Sequence, residues 1–248
     1  MLLTMKSYTE AMRATALYAT FQLDVGAQHA DESVRTAAQA RGDLLIPIVK
    51  GFSTEMGVEI ASIGIQVHGG MGYIEETGAA QTLRDVRITT IYEGTTGIQS
   101  NDLIGRKVGR DRGAAMFALL DDMTRELEAL PATAAASATT AALTGVADLR
   151  ASTESLLQSL GSAPDRAMAV SVPYLRLCGI VIGGWLLAKS AAIAAERIAG
   201  QTTDSEFFSA KLRSAHFYAE QIMPTAGALA RIVPSGAASV VETDAAHI

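Results

Sequence analysis

The sequence predicts an all-α protein, an antiparallel helical bundle followed by a helical extension. Over most of the 248 residues, apolar side chains recur at steps of three and four, the spacing of helices that bury one face. Strand signals are nearly absent, and the one β-branched stretch, residues 86–92, is too isolated to form a sheet. Short polar links separate the long helical segments, which is the arrangement of an antiparallel bundle.

The first two predicted helices are long and amphipathic. The apolar seam of the first contains Leu2, Met5, Thr9, Met12, Ala16, Ala19 and Leu23. Residues 26–42 are polar and predict a turn and a helix entry, with Asp43 as a plausible cap. The shared face of the second helix contains Leu45, Ile48, Val49, Phe52, Met56, Ile60 and Ile63. Pro47 suits the first turn of this helix, where its missing N–H costs nothing.

Two glycine-rich breaks follow. Residues 68–73 read HGGMGY and residues 93–97 read EGTTG, and glycine at this density favours turns over helix. Helical spacing resumes over residues 77–86, between the two breaks. After the second break, another helix begins with Ile98, Leu103 and Ile104.

Past residue 112 the chain changes character. Residues 129–147 are rich in Ala and Thr and predict a linker that continues into a weak helix, with a break at Pro131. Helices are predicted over residues 148–161, 165–199 and 205–222. We therefore divide the chain into a motif-bearing bundle domain, residues 1–125, and a helical extension domain, residues 126–248.

Composition and charge exclude several classes of function. The net charge of −6 argues against unassisted nucleic-acid binding, which needs a basic surface. The four histidines lack metal-ligand spacing, so no metal site is predicted. The single cysteine, Cys178, excludes an internal disulfide and is consistent with a reducing cytoplasm. The apolar stretch from Leu177 to Ala188 is shorter than the roughly 20 residues of a membrane span, and it predicts a buried core helix.

Two motifs carry a family resemblance. The stretch from Gln66 to Glu76 reads QVHGGMGYIEE, and the stretch from Arg84 to Gln99 contains RDVRI, IYEGT and IQ. Their order and spacing, after two amphipathic helices, resemble the C-terminal bundle domain of the acyl-CoA dehydrogenase family. The phrases LLTMKSYTEAMRA, GFSTEMGVEIASIG and NDLIGRK, with the helical extension, resemble the branch that includes 3-methylmercaptopropionyl-CoA dehydrogenase and long-chain fatty acyl-CoA enzymes.

The resemblance implies an FAD-dependent α,β-dehydrogenation of an acyl-CoA thioester. Glu93 occupies the position of the base that removes the α-proton. A carboxylate is an adequate base when desolvation raises its pKa toward that of the activated carbon acid, and apolar neighbours predict such a pocket around Glu93. Gly94 would let the substrate approach closely, and Tyr92 is predicted to line the acyl pocket or to belong to the core. The local sequence alone favours an ordinary acidic residue near a helix N-terminus, and the IYEGT context reverses that preference.

The resemblance also implies two groups of FAD-binding residues. The first is the loop that contains Gln66, Val67, His68, Gly69 and Gly70, which would reach the flavin of a neighbouring subunit; the alternative is a helix end followed by a turn. The second group contains Thr95, Thr96 and Gly97, which would meet FAD from the other side; the alternative is simple capping of a helix by Thr95.

The remaining expectations concern partners and completeness. The resemblance implies an acyl-CoA substrate, electron-transferring flavoprotein as electron acceptor, and a homo-oligomer, either a dimer or a tetramer. Because family members carry further domains before this bundle, the chain is expected to be a truncated product, to have a mis-called start, or to be a fragment. A catalytically inactive helical oligomerisation or interaction module is the alternative function, and an unrelated four-helix bundle is a third reading.

Overall fold

The computed structural model describes residues 1–131 and 135–247. Within these ranges the chain is helical and forms no strand, as predicted. The longer α-helices are α1 (Leu2–Gln28), α2 (Glu32–Val67), α4 (Ala79–Arg87), α6 (Ala114–Glu128), α7 (Ala136–Ser162), α9 (Ser171–Ala199), α10 (Ser205–Phe217) and α11 (Met223–Ser235). Shorter ones are α3 (Gly70–Tyr73), α5 (Thr96–Asp102), α8 (Pro164–Ala169) and α12 (Ala238–Val241). Two π-helical segments, Leu103–Val108 and Tyr218–Ile222, continue α5 and α10.

The link between α1 and α2 is shorter than predicted. Helix α2 begins at Glu32, and its cap is Asp31, whose side chain accepts hydrogen bonds from the backbone N–H groups of Ser33 and Val34. The prediction that Asp43 caps this helix was therefore wrong. Because Asp31 already satisfies the first free N–H groups, the polar residues that follow it form the first turns of α2 rather than a loop.

Pro47 was also misplaced by the prediction. It lies inside α2, far from the first turn, and it is buried. A proline there leaves the carbonyl of Asp43 without its intrahelical donor, which ordinarily breaks a helix. The apolar face of α2 packs against α1 and α9, and tertiary packing of this kind overrides local propensity.

Helix α9 is the centre of the molecule and contacts α1, α2, α5, α7, α10 and α11. Among the described helices it alone is long and apolar enough to cross a membrane, but 78% of its most apolar window is buried inside the protein. Trp185, which is fully buried, meets the ring of Tyr18 edge-on at 5.0 Å. The prediction of a buried core helix is confirmed.

The predicted linker over residues 129–147 is mostly helical. Residues 132–134 lie outside the described residues, and α7 begins at Ala136. The Ala-rich start of α7 is held by packing, since Ala142 is fully buried in the common core. That core takes residues from both sides of residue 125, and the division into two domains stays a prediction.

An ion pair links the first two helices to α6. Arg41 lies 2.5 Å from the carboxylate of Asp122 and also donates to the hydroxyl of Tyr18 at 3.2 Å. Burial alone would raise the pKa of Asp122, but hydrogen bonds from Arg41 and Arg125 outweigh it and lower the pKa below its usual value.

This ion pair gives an expected pH dependence. A carboxyl whose pKa is lowered in the folded state adds stability above its unfolded pKa and loses it as the pH falls through the folded value. We expect Asp122→Asn to cost about 1 kcal/mol at pH 7 and to make the loss of stability below pH 4 shallower. Urea unfolding of both proteins between pH 3 and 7 measures this, and parallel pH curves would contradict it.

Candidate functional site

The loop that carries Glu93 has an unusual backbone. It follows α4 and a 3₁₀ turn, Ile88–Thr90, and it ends where α5 begins at Thr96. Glu93 has φ of 51° and Gly94 has φ of 89°, so two consecutive residues are left-handed. Glycine adopts this conformation freely, whereas a residue with a Cβ pays about 1 kcal/mol or more. Glu93 is therefore held in place by contacts from outside the loop.

Lys50 of α2 supplies most of these contacts. Its ammonium group donates to the carbonyl oxygens of Thr89 at 3.2 Å, Tyr92 at 2.9 Å and Gly94. It also lies 5.7 Å from the centroid of the Tyr92 ring. Lys50 was not predicted to be a site residue. A lysine inside the apolar run LLIPIVKGF nevertheless indicates that hydrogen-bond acceptors lie close to its ammonium group.

Helix α5 holds the other side of the loop. The side-chain amide of Gln99 donates to the carbonyl oxygen of Glu93 at 3.4 Å. A Cβ on Gly94 would lie 2.8 Å from the same amide nitrogen, so a side chain there would displace the end of Gln99, and the φ of Gly94 also favours glycine. Thr95 caps α5 by accepting a hydrogen bond from the N–H of Ile98 at 3.3 Å, as the capping alternative predicted.

A second carboxylate reaches the loop from α2. Glu55 accepts a hydrogen bond from the hydroxyl of Thr96, a contact that the sequence did not reveal. Gly97 is open on its outer side, since a Cβ there would meet only the Thr95 hydroxyl, at 3.7 Å. Thr95 and Thr96 thus have structural partners, and their binding of a cofactor stays a prediction.

The carboxylate of Glu93 is exposed to solvent. Glu93 is exposed, and within the described parts of the chain its carboxylate has neither a hydrogen bond nor an ion pair. Its neighbours Ile91 and Tyr92 are each 50% exposed. The desolvating pocket expected around Glu93 is therefore not formed by the described residues alone, because the apolar side chains flank the carboxylate without enclosing it.

The segment from Gln66 to Gly70 contains the end of α2, a turn at His68 and Gly69, and the start of α3. The backbone N–H of His68 donates to Gly64 and Ile65, and its ring Nδ1 lies 2.8 Å from the carbonyl oxygen of Gly64. Gly69, with φ of 60° and ψ of −144°, has a conformation that only glycine takes readily. The helix end followed by a turn, one of the two readings of this motif, is confirmed.

The outer face of this loop is bare backbone. A Cβ on Gly69 or Gly70 would meet nothing within 4 Å, whereas one on Gly72 would collide with the carbonyl of Ile65. Gly72 therefore lets the short helix α3 fold back onto α2. Gly69 and Gly70 leave open backbone to which a large ligand or another chain has access.

The two groups of predicted cofactor-binding residues lie near different positions along α2. Thr96 contacts Glu55, and Gln66 follows Glu55 by eleven residues on the same helix. At the helical rise, the positions of Glu55 and Gln66 are about 16 Å apart along α2. One chain therefore does not bring both groups to the same atoms of a ligand.

Exposed apolar side chains flank both groups along the chain. We call them the motif surface; they are Val67, Met71, Tyr73, Ile74, Ile88, Ile91, Tyr92 and Ile98. Exposed apolar side chains that form a contiguous patch often bind a ligand or another protein surface. Elsewhere, Cys178 is fully buried, and burial raises the pKa of its thiol well above the usual value, so it belongs to the core. No cluster of potential metal ligands occurs among the described residues.

Two known protein families match this sequence, one in each half. Residues 1–108 match the family described as acyl-CoA dehydrogenase, C-terminal domain, and residues 114–244 match the family described as acetyl-CoA dehydrogenase C-terminal like. The chain is 47% identical over 226 residues to 3-methylmercaptopropionyl-CoA dehydrogenase of Ruegeria pomeroyi. It is 30% identical over 255 residues to the broad-specificity linear acyl-CoA dehydrogenase FadE5 of Mycobacterium tuberculosis.

The alignments cover most of this chain but less than half of each relative. They span 90% and 99% of the chain, and 38% and 42% of those two enzymes. Among solved structures, an acyl-CoA dehydrogenase complexed with FAD from Bacillus anthracis shares the fold over 99% of this chain and 42% of its own, with a TM-score of 0.70 at 18% identity. The Caenorhabditis elegans protein ACDH-11, in complex with C11-CoA, has a TM-score of 0.69 at 21% identity, over 88% of this chain and 35% of its own.

Proposed function

This chain belongs to the acyl-CoA dehydrogenase family, and on that basis we propose that it forms the C-terminal portion of an FAD-dependent enzyme that oxidises an acyl-CoA thioester at its α and β carbons. Glu93 is the proposed base. The observation that carries this assignment is the geometry of its loop. The backbone on both sides of Glu93 is fixed by Lys50 and Gln99, while the carboxylate stays free and points out of an apolar surface.

Such a carboxylate is suited to remove a proton from carbon. The α-proton of the thioester passes to Glu93, and the negative charge that develops on the thioester oxygen needs hydrogen-bond donors to stabilise it. Bound FAD supplies the acceptor for the hydride that leaves the β-carbon. A base gains strength toward carbon acids when it loses water. We propose that the acyl chain, lying against Tyr92 and Gly94, excludes water from Glu93.

The bare backbone near the motif surface leaves room for part of a large flavin cofactor. The bare backbone at Gly69 and Gly70 admits a planar or phosphate-bearing group, since no side chain stands in the way. We propose that Gln66, Val67, His68, Gly69 and Gly70 contact one FAD and that Thr95, Thr96 and Gly97 contact another. This arrangement, in which each FAD lies between two subunits of a homo-oligomer, is the one that the family resemblance implies.

The relatives suggest candidates for the finer assignments. At 47% identity, 3-methylmercaptopropionyl-CoA is one candidate substrate, and the broader relative makes linear fatty acyl-CoA the other. We further propose electron-transferring flavoprotein as the acceptor of the electrons, a dimer or tetramer as the assembly, and the cytoplasm as the location.

Reconstitution with FAD tests the proposed function. The chain is assayed alone and joined to the preceding portion of the Ruegeria pomeroyi relative, and flavin absorbance and acyl-CoA-dependent reduction of an artificial acceptor are measured. Yellow protein that turns over an acyl-CoA supports the enzyme. Colourless, inactive oligomers in both forms would contradict it and favour the alternative, a catalytically inactive helical interaction module.

The substitution Gly70→Ala distinguishes a role of this residue in binding the cofactor from a role in folding. Gly70→Ala adds a Cβ that meets nothing within 4 Å in the chain, so we expect thermal stability without cofactor to change by less than about 0.5 kcal/mol. If FAD lies against this backbone, the added methyl group should weaken its binding about tenfold or more. Titration of the apo-protein with FAD measures this, and an unchanged Kd would exclude Gly70 from the cofactor site.

A further inference from the structure

We propose that Lys50 is the positioning residue that holds Glu93 in its working conformation. The clamping geometry stands on the contacts alone, and its purpose in catalysis rests on the proposed function. Lys50 does not touch the reacting atoms. It acts by binding the backbone on both sides of Glu93, and thereby fixes the direction in which that carboxylate points.

Every donor of the Lys50 ammonium group is directed at this loop. An ammonium group has three N–H donors, and the carbonyl oxygens of Thr89, Tyr92 and Gly94 accept one each. Tyr92 and Gly94 are the residues immediately before and after Glu93. Within the described residues Lys50 forms no ion pair, so its charge is compensated by these backbone dipoles and by the face of the Tyr92 ring.

The left-handed pair at Glu93 and Gly94 explains why a cation is required. With φ of 51° and 89°, the chain reverses and the carbonyl groups on either side of Glu93 converge on one point. Converging carbonyl dipoles repel each other unless a donor or cation lies between them. Without Lys50, the loop would relieve this repulsion by returning Glu93 to an ordinary φ, and the carboxylate would move with it.

The position of Lys50 on α2 makes the clamp rigid. The next residue, Gly51, is buried, and a Cβ there would lie 2.8 Å from Leu175 of α9 and 3.4 Å from Gln99 of α5. The three helices therefore meet at the residue that follows Lys50. Gln99, which donates to the carbonyl oxygen of Glu93, belongs to the same junction. Lys50 and Gln99, which both hold the loop, are therefore anchored where the same three helices meet.

Hydrogen–deuterium exchange of the full chain tests the clamp without any assay of activity. In Lys50→Met, which keeps the apolar stem, we expect exchange in the peptide over residues 88–97 to rise about tenfold or more, because hydrogen bonds to a charged donor are lost. The amides of Ile91 and Tyr92, which donate to Ile88, are the reporters. Lys50→Arg should restore most of the protection, since it keeps the charge and the donors.

The matched control is Lys189→Met. Lys189 is also a partly exposed lysine, it pairs with Glu126 at 2.5 Å, and it lies 4.9 Å from the Trp185 ring centroid. Its loss should lower the melting temperature without changing exchange over residues 88–97. Unchanged exchange in Lys50→Met, or an equal rise in the control, would overturn the inference.

The kinetic arm separates positioning from binding. In the FAD-loaded enzyme, Lys50→Met should lower kcat about tenfold to a hundredfold, the cost of a base misplaced by about 1 Å, while KM for the acyl-CoA changes less than about twofold. Recovery of kcat in Lys50→Arg supports the assignment, and a rise in KM at constant kcat would overturn it. A protein that shows the loop effect but no flavin-dependent activity in any form would retain the clamp and lose the proposed function.

Discussion

Replacing Glu93 by Gln is expected to lower kcat for acyl-CoA oxidation about a thousandfold or more, the scale on which a general base contributes. The amide has the shape of the carboxylate but cannot accept the α-proton. Because the carboxylate is exposed and has no partner among the described residues, the substitution leaves no buried group unsatisfied. Stability should therefore change by less than about 0.5 kcal/mol, and FAD absorbance should be retained.

The control for this experiment is the second carboxylate near the loop. Glu55→Gln keeps a hydrogen-bond acceptor for the hydroxyl of Thr96 and removes only the charge, so kcat should fall less than about tenfold. Acyl-CoA-dependent flavin bleaching in single-turnover experiments measures both variants. If Glu55→Gln abolishes bleaching and Glu93→Gln does not, the base has been misassigned.

The sequence predicted the helices well where one face is buried throughout. The seams of α1 and α2 and the apolar centre of α9 are periodic over many residues, and each is a helix in the structure. The errors occur where contacts with residues distant in the sequence determine the local structure. Pro47 lies within α2 because its face packs on α1 and α9, and the Ala-rich residues after 135 are helical because other helices cover them.

The candidate site was only partly predictable. Glu93 and the two glycine-rich breaks were identified from motifs, and Thr95 is a helix cap as local sequence indicated. Lys50 and Glu55 were not identified, since each lies about forty residues before the loop it holds, and no local pattern records such a contact. The exposure of the Glu93 carboxylate was likewise unpredictable, because the flanking residues Ile91 and Tyr92 favour burial by composition alone.

Replacing Gly179 by Ala tests the packing that brings α2 and α9 together below the candidate site. A Cβ on Gly179 would lie 2.6 Å from Cδ1 of Phe52 and closer still to its Cγ. The Phe52 ring is 3% exposed and cannot move aside without displacing its neighbours. Alanine gains about 1 kcal/mol of helix propensity over glycine, but we expect overpacking to outweigh it and to leave a net loss of about 2 kcal/mol or more.

A melting temperature lowered by roughly 4–8 °C would show this loss. Two further variants test whether overpacking against Phe52 is its cause. Gly161→Ala on α7, where a Cβ meets nothing within 4 Å, should stabilise the chain by about 0.5 kcal/mol. Phe52→Leu should recover part of the stability lost in Gly179→Ala, because a smaller side chain vacates the space that the methyl group needs. If Gly179→Ala raises the melting temperature as Gly161→Ala does, α2 and α9 are not in contact at Phe52. The inferred junction that positions Lys50 and Gln99 would then be wrong.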